Sequence, residues 1–141
     1  MNRSFGLAGL KRLRDLKEAG AAGTLAAANA ELTRGRSQTQ RALETMSDSA
    51  EQVATGADLL AIAAARASNR SMLTEMQANL VALQHTAEQA EHEHREARRN
   101  AVIVEKLEQR HEVAAARAEL TAEQARLDEA AQRGYQGSRR A

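Results

Sequence analysis

The sequence predicts an all-α fold, a long antiparallel two-helix coiled-coil hairpin. Three observations carry that reading. Ala, Glu, Lys, Leu and Arg supply 82 of the 141 residues, a composition that belongs to long helices when the apolar positions repeat. Proline is absent, so no residue forces a helix to stop. Apolar residues recur with steps of four and three, the 3.5-residue repeat of a coiled-coil seam. A compact core is excluded, because Leu, Ile, Val and Phe together make only 16% of the chain. Disorder would require a high net charge as well, and the net charge is +1.

The first predicted arm covers residues 5–67. Its seam reads Leu25, Leu32, Thr39, Leu43, Met46, Ala50, Val53, Ala57, Leu60, Ala64 and Ala67. An earlier apolar set, Leu10, Leu13 and Leu16, is out of phase with Leu25 and is expected to pack against the second arm. The turn is expected at Ser68-Asn69-Arg70-Ser71, the strongest cluster of helix breakers. Asn tolerates the left-handed conformation that ends a helix, and Ser caps the next one. Thr55-Gly56 is a weaker candidate for the break.

The second predicted arm covers residues 72–133. Its seam reads Leu73, Met76, Leu80, Leu83, Ala87, Ala90, His94, Ala97, Ala101 and Val104, then shifts register and resumes as Val113, Ala116, Leu120, Glu123 and Leu127. Residues 134–141 hold two Gly and two Arg and are expected to fray. A turn at residue 69 would pair positions whose numbers add to about 138, bringing Leu25 to Val113, Leu32 to Leu107 and Leu10 to Leu127. Off the seams lie Leu59, Ile62, Met72 and Val81. A precessing seam would bury them; otherwise they form an exposed patch for a partner.

Charge is unevenly distributed. Residues 1–41 carry a net +5, and residues 42–65 carry four acids and no base. The basic stretch reads either as a solvated face or as a docking surface for an acidic partner.

Chemistry is poorly provided for. Without Cys there is no disulfide, thiolate metal site or Cys nucleophile. His92-Glu93-His94 places two imidazoles on opposite sides of a helix, which does not make a metal site. Paired carboxylates such as Glu105/Glu108, Glu119/Glu123 and Asp128/Glu129 would lie on an exposed rod, with no cleft to desolvate them. They are expected to pair with Arg98, Arg99, Lys106, Arg110, Arg117 and Arg126. No catalytic residue, metal or cofactor is expected. One Phe and one Tyr offer no stacking platform for bases, and no apolar run is long enough to span a bilayer. The first twenty residues are basic and amphipathic and lack the continuous apolar core of a secretory signal.

Three blocks carry a family resemblance. The first is Phe5-x-Leu7-x-x-Leu10-Lys11-Arg12-Leu13-Arg14-Asp15-Leu16-Lys17-Glu18. The second is Ser68-Asn69-Arg70 followed by Met76, Leu80 and Leu83. The third joins Glu105-Lys106-Leu107-Glu108-x-Arg110 to Glu123-Gln124-x-x-Leu127-Asp128-Glu129-x-Ala131-x-Arg133. In this order and at this length they resemble the flagellar FliJ family of the bacterial type III export apparatus.

The resemblance implies a non-enzymatic coiled-coil stalk like the γ subunit of rotary ATPases. Its open end would dock into the ring of the export ATPase and stimulate it. Further contacts would be to the membrane-embedded export gate and to export chaperones, at the cytoplasmic face of the cell membrane. The ATPase-facing residues would be Leu10, Arg12, Leu13, Arg14, Leu16, Arg126, Leu127, Asp128, Glu129 and Arg133. The gate-facing residues would be Met76, Leu80, Leu83 and Ala87, although members of the family place aromatics there and this chain has none. The alternatives are a generic coiled-coil adaptor, a stalk of an injectisome, or a basic amphipathic helix that binds membranes or nucleic acid.

Overall fold

A computed structural model describes residues 6–48 and 55–138. The fold is all-α, a helical hairpin of α1 (Ala8–Asp48) and α2 (Gly56–Ser138). Two units are distinguished, one of Met1–Leu16 with Arg98–Ala141 and one of Lys17–Ala97.

The helix break lies between Asp48 and Gly56, not at residues 68–71, which are helical throughout. Thr55 starts α2. Its hydroxyl oxygen accepts a hydrogen bond from the Asp58 amide (3.3 Å), and its hydroxyl donates to the Asp58 carboxylate. The Leu59 amide then closes the first turn onto the Thr55 carbonyl (3.3 Å). The Thr55 hydroxyl thereby satisfies the Asp58 amide, one of the first-turn amides that have no partner within the helix. Ser68, Asn69 and Ser71 cost only a few tenths of a kcal/mol each in a helix interior. Asn69 is also half-buried, in a groove with Ala42, Thr45, Met46 and Met72. Tertiary packing therefore overrides the local breaker signal.

In the unit of residues 17–97 the two helices run antiparallel. Ala42 and Met46 lie by Asn69 and Met72, while Ala28 and Leu32 lie by Ala87 and Ala90. The seam positions of α1 are Glu18, Ala21, Leu25, Ala28, Leu32, Gly35, Thr39, Ala42 and Met46. Those of α2 are Asn69, Leu73, Met76, Leu80, Leu83, Ala87, Ala90, His94 and Ala97, with Asp58 and Ile62 half-buried ahead of them. Both sets step by four and three, as a seam requires. Leu43 is exposed and Ala42 faces inward in its place.

Small residues set the distance between the helices here. A Cβ on Gly35 would lie 2.8 Å from Leu83 Cδ1 and 3.2 Å from Leu80 Cδ2. The missing side chain lets the two leucines reach the α1 backbone. Thr39 settles its hydroxyl inside the seam by donating to the Gly35 carbonyl (3.0 Å). Gly35 meets residues 80 and 83, so facing positions add to 115–118 and not to 138. Leu32 accordingly packs with Ala87, and the expected Leu32–Leu107 and Leu25–Val113 pairs do not form.

In the other unit, the start of α1 packs on α2 through Ala8, Lys11 and Arg14 on one side. Ala101 and Val104, each 4% exposed, are the buried residues on the other. Lys11 and Glu108 join the helices by an ion pair of 2.9 Å, which excludes the expected pairing of Leu10 with Leu127. From Gln109 as far as Tyr135 every residue is exposed except Ala115, which is half-buried.

Candidate docking surfaces

The leucines at the start of α1 follow each other at steps of three. Leu7, Leu10 and Leu13 each precede a half-buried position by one residue, which is about 100° around the helix. The inward positions pass to Ala8, Lys11 and Arg14, and Leu7, Leu10, Leu13 and Leu16 stand outside. Leu13 is 48% exposed and Leu16 is 71% exposed. The expectation that Leu10, Leu13 and Leu16 are buried against the second helix is thus corrected. Arg12 is exposed beside them and Arg14 is half-buried. On α2 of the same unit, Ile103 and Leu107 are also exposed.

The second group, Arg126, Leu127, Asp128, Glu129 and Arg133, is exposed on the far part of α2. Arg133 pairs with Glu129 one turn away. The two groups expected to share one end are not brought together. Lys11 is anchored at Glu108, and Arg126 lies eighteen residues farther along the helix, about 27 Å at 1.5 Å per residue. Between them an open groove is lined by Lys106, Gln109, Arg110, Val113, Ala114 and Arg117. Its three cations were expected to pair with neighbouring acids, yet Glu108 pairs with Lys11 across the helices. The groove presents positive charge around Val113, which is itself exposed.

The gate-facing quartet has a different place. Ala87 is 6% exposed, and Leu80 and Leu83 pack against the buried cluster of Ala28, Leu32, Ala87 and Ala90. Met76 is half-buried on the same seam. These side chains hold the two helices together, so they do not form an outward patch while the hairpin is closed. The apolar residues that do face outward in that unit include Leu43, Leu59, Leu60, Met72 and Val81. Precession of the seam half-buries Ile62 alone among the four off-seam residues.

The electrostatics of these surfaces are those of solvated side chains. Ion pairs within a helix join Arg34 to Glu31 and Arg95 to Glu91. The hydrogen bond and charge of Glu108 raise the Lys11 ammonium above its ordinary 10.5. His85, His92 and His111 are exposed and His94 is half-buried on the seam. Among the described residues no cluster of His, Asp and Glu could hold a metal ion. No helix there is long and apolar enough to cross a membrane.

The family model described as "Flagellar FliJ protein" matches residues 4–140. No curated protein and no solved structure matches the chain.

Proposed function

Starting from the fact that this chain belongs to the FliJ family of flagellar proteins, we propose that it is a non-catalytic docking component of the flagellar export apparatus, engaging the export ATPase ring through the unit that holds the start of α1. The observation that carries the proposal is the placement of Leu10, Leu13 and Leu16. The hairpin has no use for them, and they stand exposed beside Arg12. A contiguous patch of exposed apolar side chains marks a surface that a partner covers. A ring surface that is acidic and apolar would be steered by the arginines and held by the leucines.

The α2 tail, with Arg126, Leu127, Asp128, Glu129 and Arg133, supplies a second contact farther along. One compact end built from both helices is replaced by two contacts spaced along α2. Contacts with an export gate and with chaperones, which membership of the family suggests, would use outward side chains such as Met72 and Val81. Leu80, Leu83 and Ala87 are committed to the seam.

The test is stimulation of the cognate export ATPase by the full chain. Leu13→Ser with Leu16→Ser alters exposed positions, so the circular dichroism spectrum should be unchanged. The hydrolysis rate should fall toward that of the ATPase alone. Full stimulation by this variant contradicts the proposal.

A further inference from the structure

From Arg99 to Arg117, α2 is divided lengthwise by charge. Ala101, Val104 and Glu108 face the start of α1. On the opposite side of the helix, Arg99, Lys106, Arg110 and Arg117 fall within about 40° of one another. All four are exposed. None of them takes part in the ion pairs that join Lys11 to Glu108 and Arg133 to Glu129. The acids Glu105 and Glu112 lie roughly a third of a turn around from this row.

The row has the spacing of a helix-packing surface. Two exposed aliphatic residues complete it as Arg99, Ile103, Lys106, Arg110, Val113 and Arg117, with steps that alternate four and three. That is a coiled-coil seam, set on the outside of the hairpin. Ile103 and Val113 are 51% and 53% exposed, and Lys106, Arg110, Val113 and Arg117 line the open groove. The positions on either side of the row are uncharged, Gln109 and Ala114 among them.

We propose that this row receives a helix of another protein, with carboxylates opposite the four cations and aliphatic side chains opposite Ile103 and Val113. Charge complementarity selects the occupant. A second copy presenting the same row would oppose cation to cation, which disfavours self-pairing there. Lipid headgroups or a nucleic acid would offer a broad surface of phosphates. The cations instead stand in single file, with aliphatic residues between them at the spacing of one packed helix. The charges give specificity and fast encounter, and Ile103 and Val113 give the apolar contact. The row lies opposite the face held by α1, so the incoming helix adds to the hairpin without displacing α1. None of the residues proposed for the ATPase ring is involved.

The test uses the full chain and a synthetic acidic peptide, about 24 residues long and Ala-rich so that it is helical. Along one face it carries glutamate, leucine, glutamate, glutamate, leucine and glutamate, at steps of four, three, four, three and four. Fluorescence anisotropy should show saturable binding that weakens as salt rises. A peptide of the same composition with its glutamates scattered around the helix should bind at least about tenfold more weakly. Arg110→Glu with Arg117→Glu should keep the native circular dichroism spectrum and lose the acidic peptide. Two further peptides carry lysine in place of the first two or the last two glutamates. One of them should bind this variant more tightly than it binds the native chain. Leu13→Ser with Leu16→Ser should bind the acidic peptide as the native chain does, which separates this contact from ATPase docking. Equal binding of the ordered and scattered acidic peptides overturns the proposal, as does no binding at millimolar chain. Tighter binding to phosphatidylglycerol vesicles or duplex DNA, abolished by the same double reversal, also overturns it and assigns the row to a phosphate surface.

Discussion

Lys11 Nζ lies 2.9 Å from Glu108 Oε2 and ties the start of α1 to α2. The pair occupies a seam position where a leucine would be expected, and the neighbouring leucines are outside. The register of this unit is thus marked by a charge contact, and its apolar side chains are left for another molecule.

That contact gives a pH dependence with a definite sign. Glu108, by hydrogen bond and charge, raises the Lys11 ammonium above 10.5. A cation favoured in the folded state contributes fully below its unfolded pKa and is lost as pH rises through the higher folded value. Thermal stability should show no contribution from Lys11 titration between neutral pH and about 10, and should fall above 10.5. Lys11→Gln should remove that alkaline component. Melting curves of the two proteins across this range decide the matter, and identical alkaline slopes would refute the assignment.

Leu32 and Leu43 both fit the apolar repeat, but the structure separates them. Leu32 is 9% exposed and belongs to the buried cluster, while Leu43 is 43% exposed. Leu32→Ala should cost about 2–3 kcal/mol, the lower part of the range for buried leucines, because a two-helix seam can partly collapse. Leu43→Ala should fall within about 0.5 kcal/mol of the native chain. Urea denaturation of both variants measures the difference, and equal losses would place Leu43 on the seam.

The position of the break predicts opposite signs for two sets of polar residues. Ser68 and Ser71 are exposed in the interior of α2. Ser68→Ala and Ser71→Ala should each stabilise by a few tenths of a kcal/mol through helix propensity. Thr55 caps α2, and Thr55→Ala should cost about 1 kcal/mol. A turn at residues 68–71 would reverse the pattern, with Ser71→Ala destabilising as a lost cap. Thermal melts of the three variants read the signs directly.

The sequence carries the α2 seam from Leu73 to Val104 residue by residue, because alternating steps of three and four are a physical signature of one helix packing on another. Leu25, Leu32, Thr39 and Met46 are legible for the same reason. The break has a weaker signal in the sequence, Thr55-Gly56, and it is there that α2 starts. Ser68-Asn69-Arg70-Ser71 carries the stronger local signal but lies within a seam that continues on both sides of it.

From the break follows the register. A pivot about ten residues too late shifts every pair: a turn at residue 69 sets Leu32 against Leu107, where the structure packs it with Ala87. The fate of the gate-facing residues follows as well. Leu80 and Leu83 are legible as seam residues, and one apolar side chain does not serve the seam and an outer surface together. Family resemblance points to Leu10, Leu13 and Leu16 for docking, and the structure leaves them exposed. Their being out of phase with Leu25 is the sign in the sequence that they stand off the seam.

The register of the unit of residues 17–97 packs Leu80 and Leu83 against the buried cluster that holds Ala87. Arg36 and Gln84 line the same groove in the unit of residues 17–97. The chain has no native cysteine, so spin labels on Arg36→Cys and Gln84→Cys report one distance by double electron–electron resonance. The register described here predicts a short separation across one helix pair, about 10–20 Å with labels on helices spaced 8–10 Å apart. A turn at residue 69 would place residue 36 opposite residue 102, eighteen positions from Gln84, and the separation would rise to about 27 Å or more.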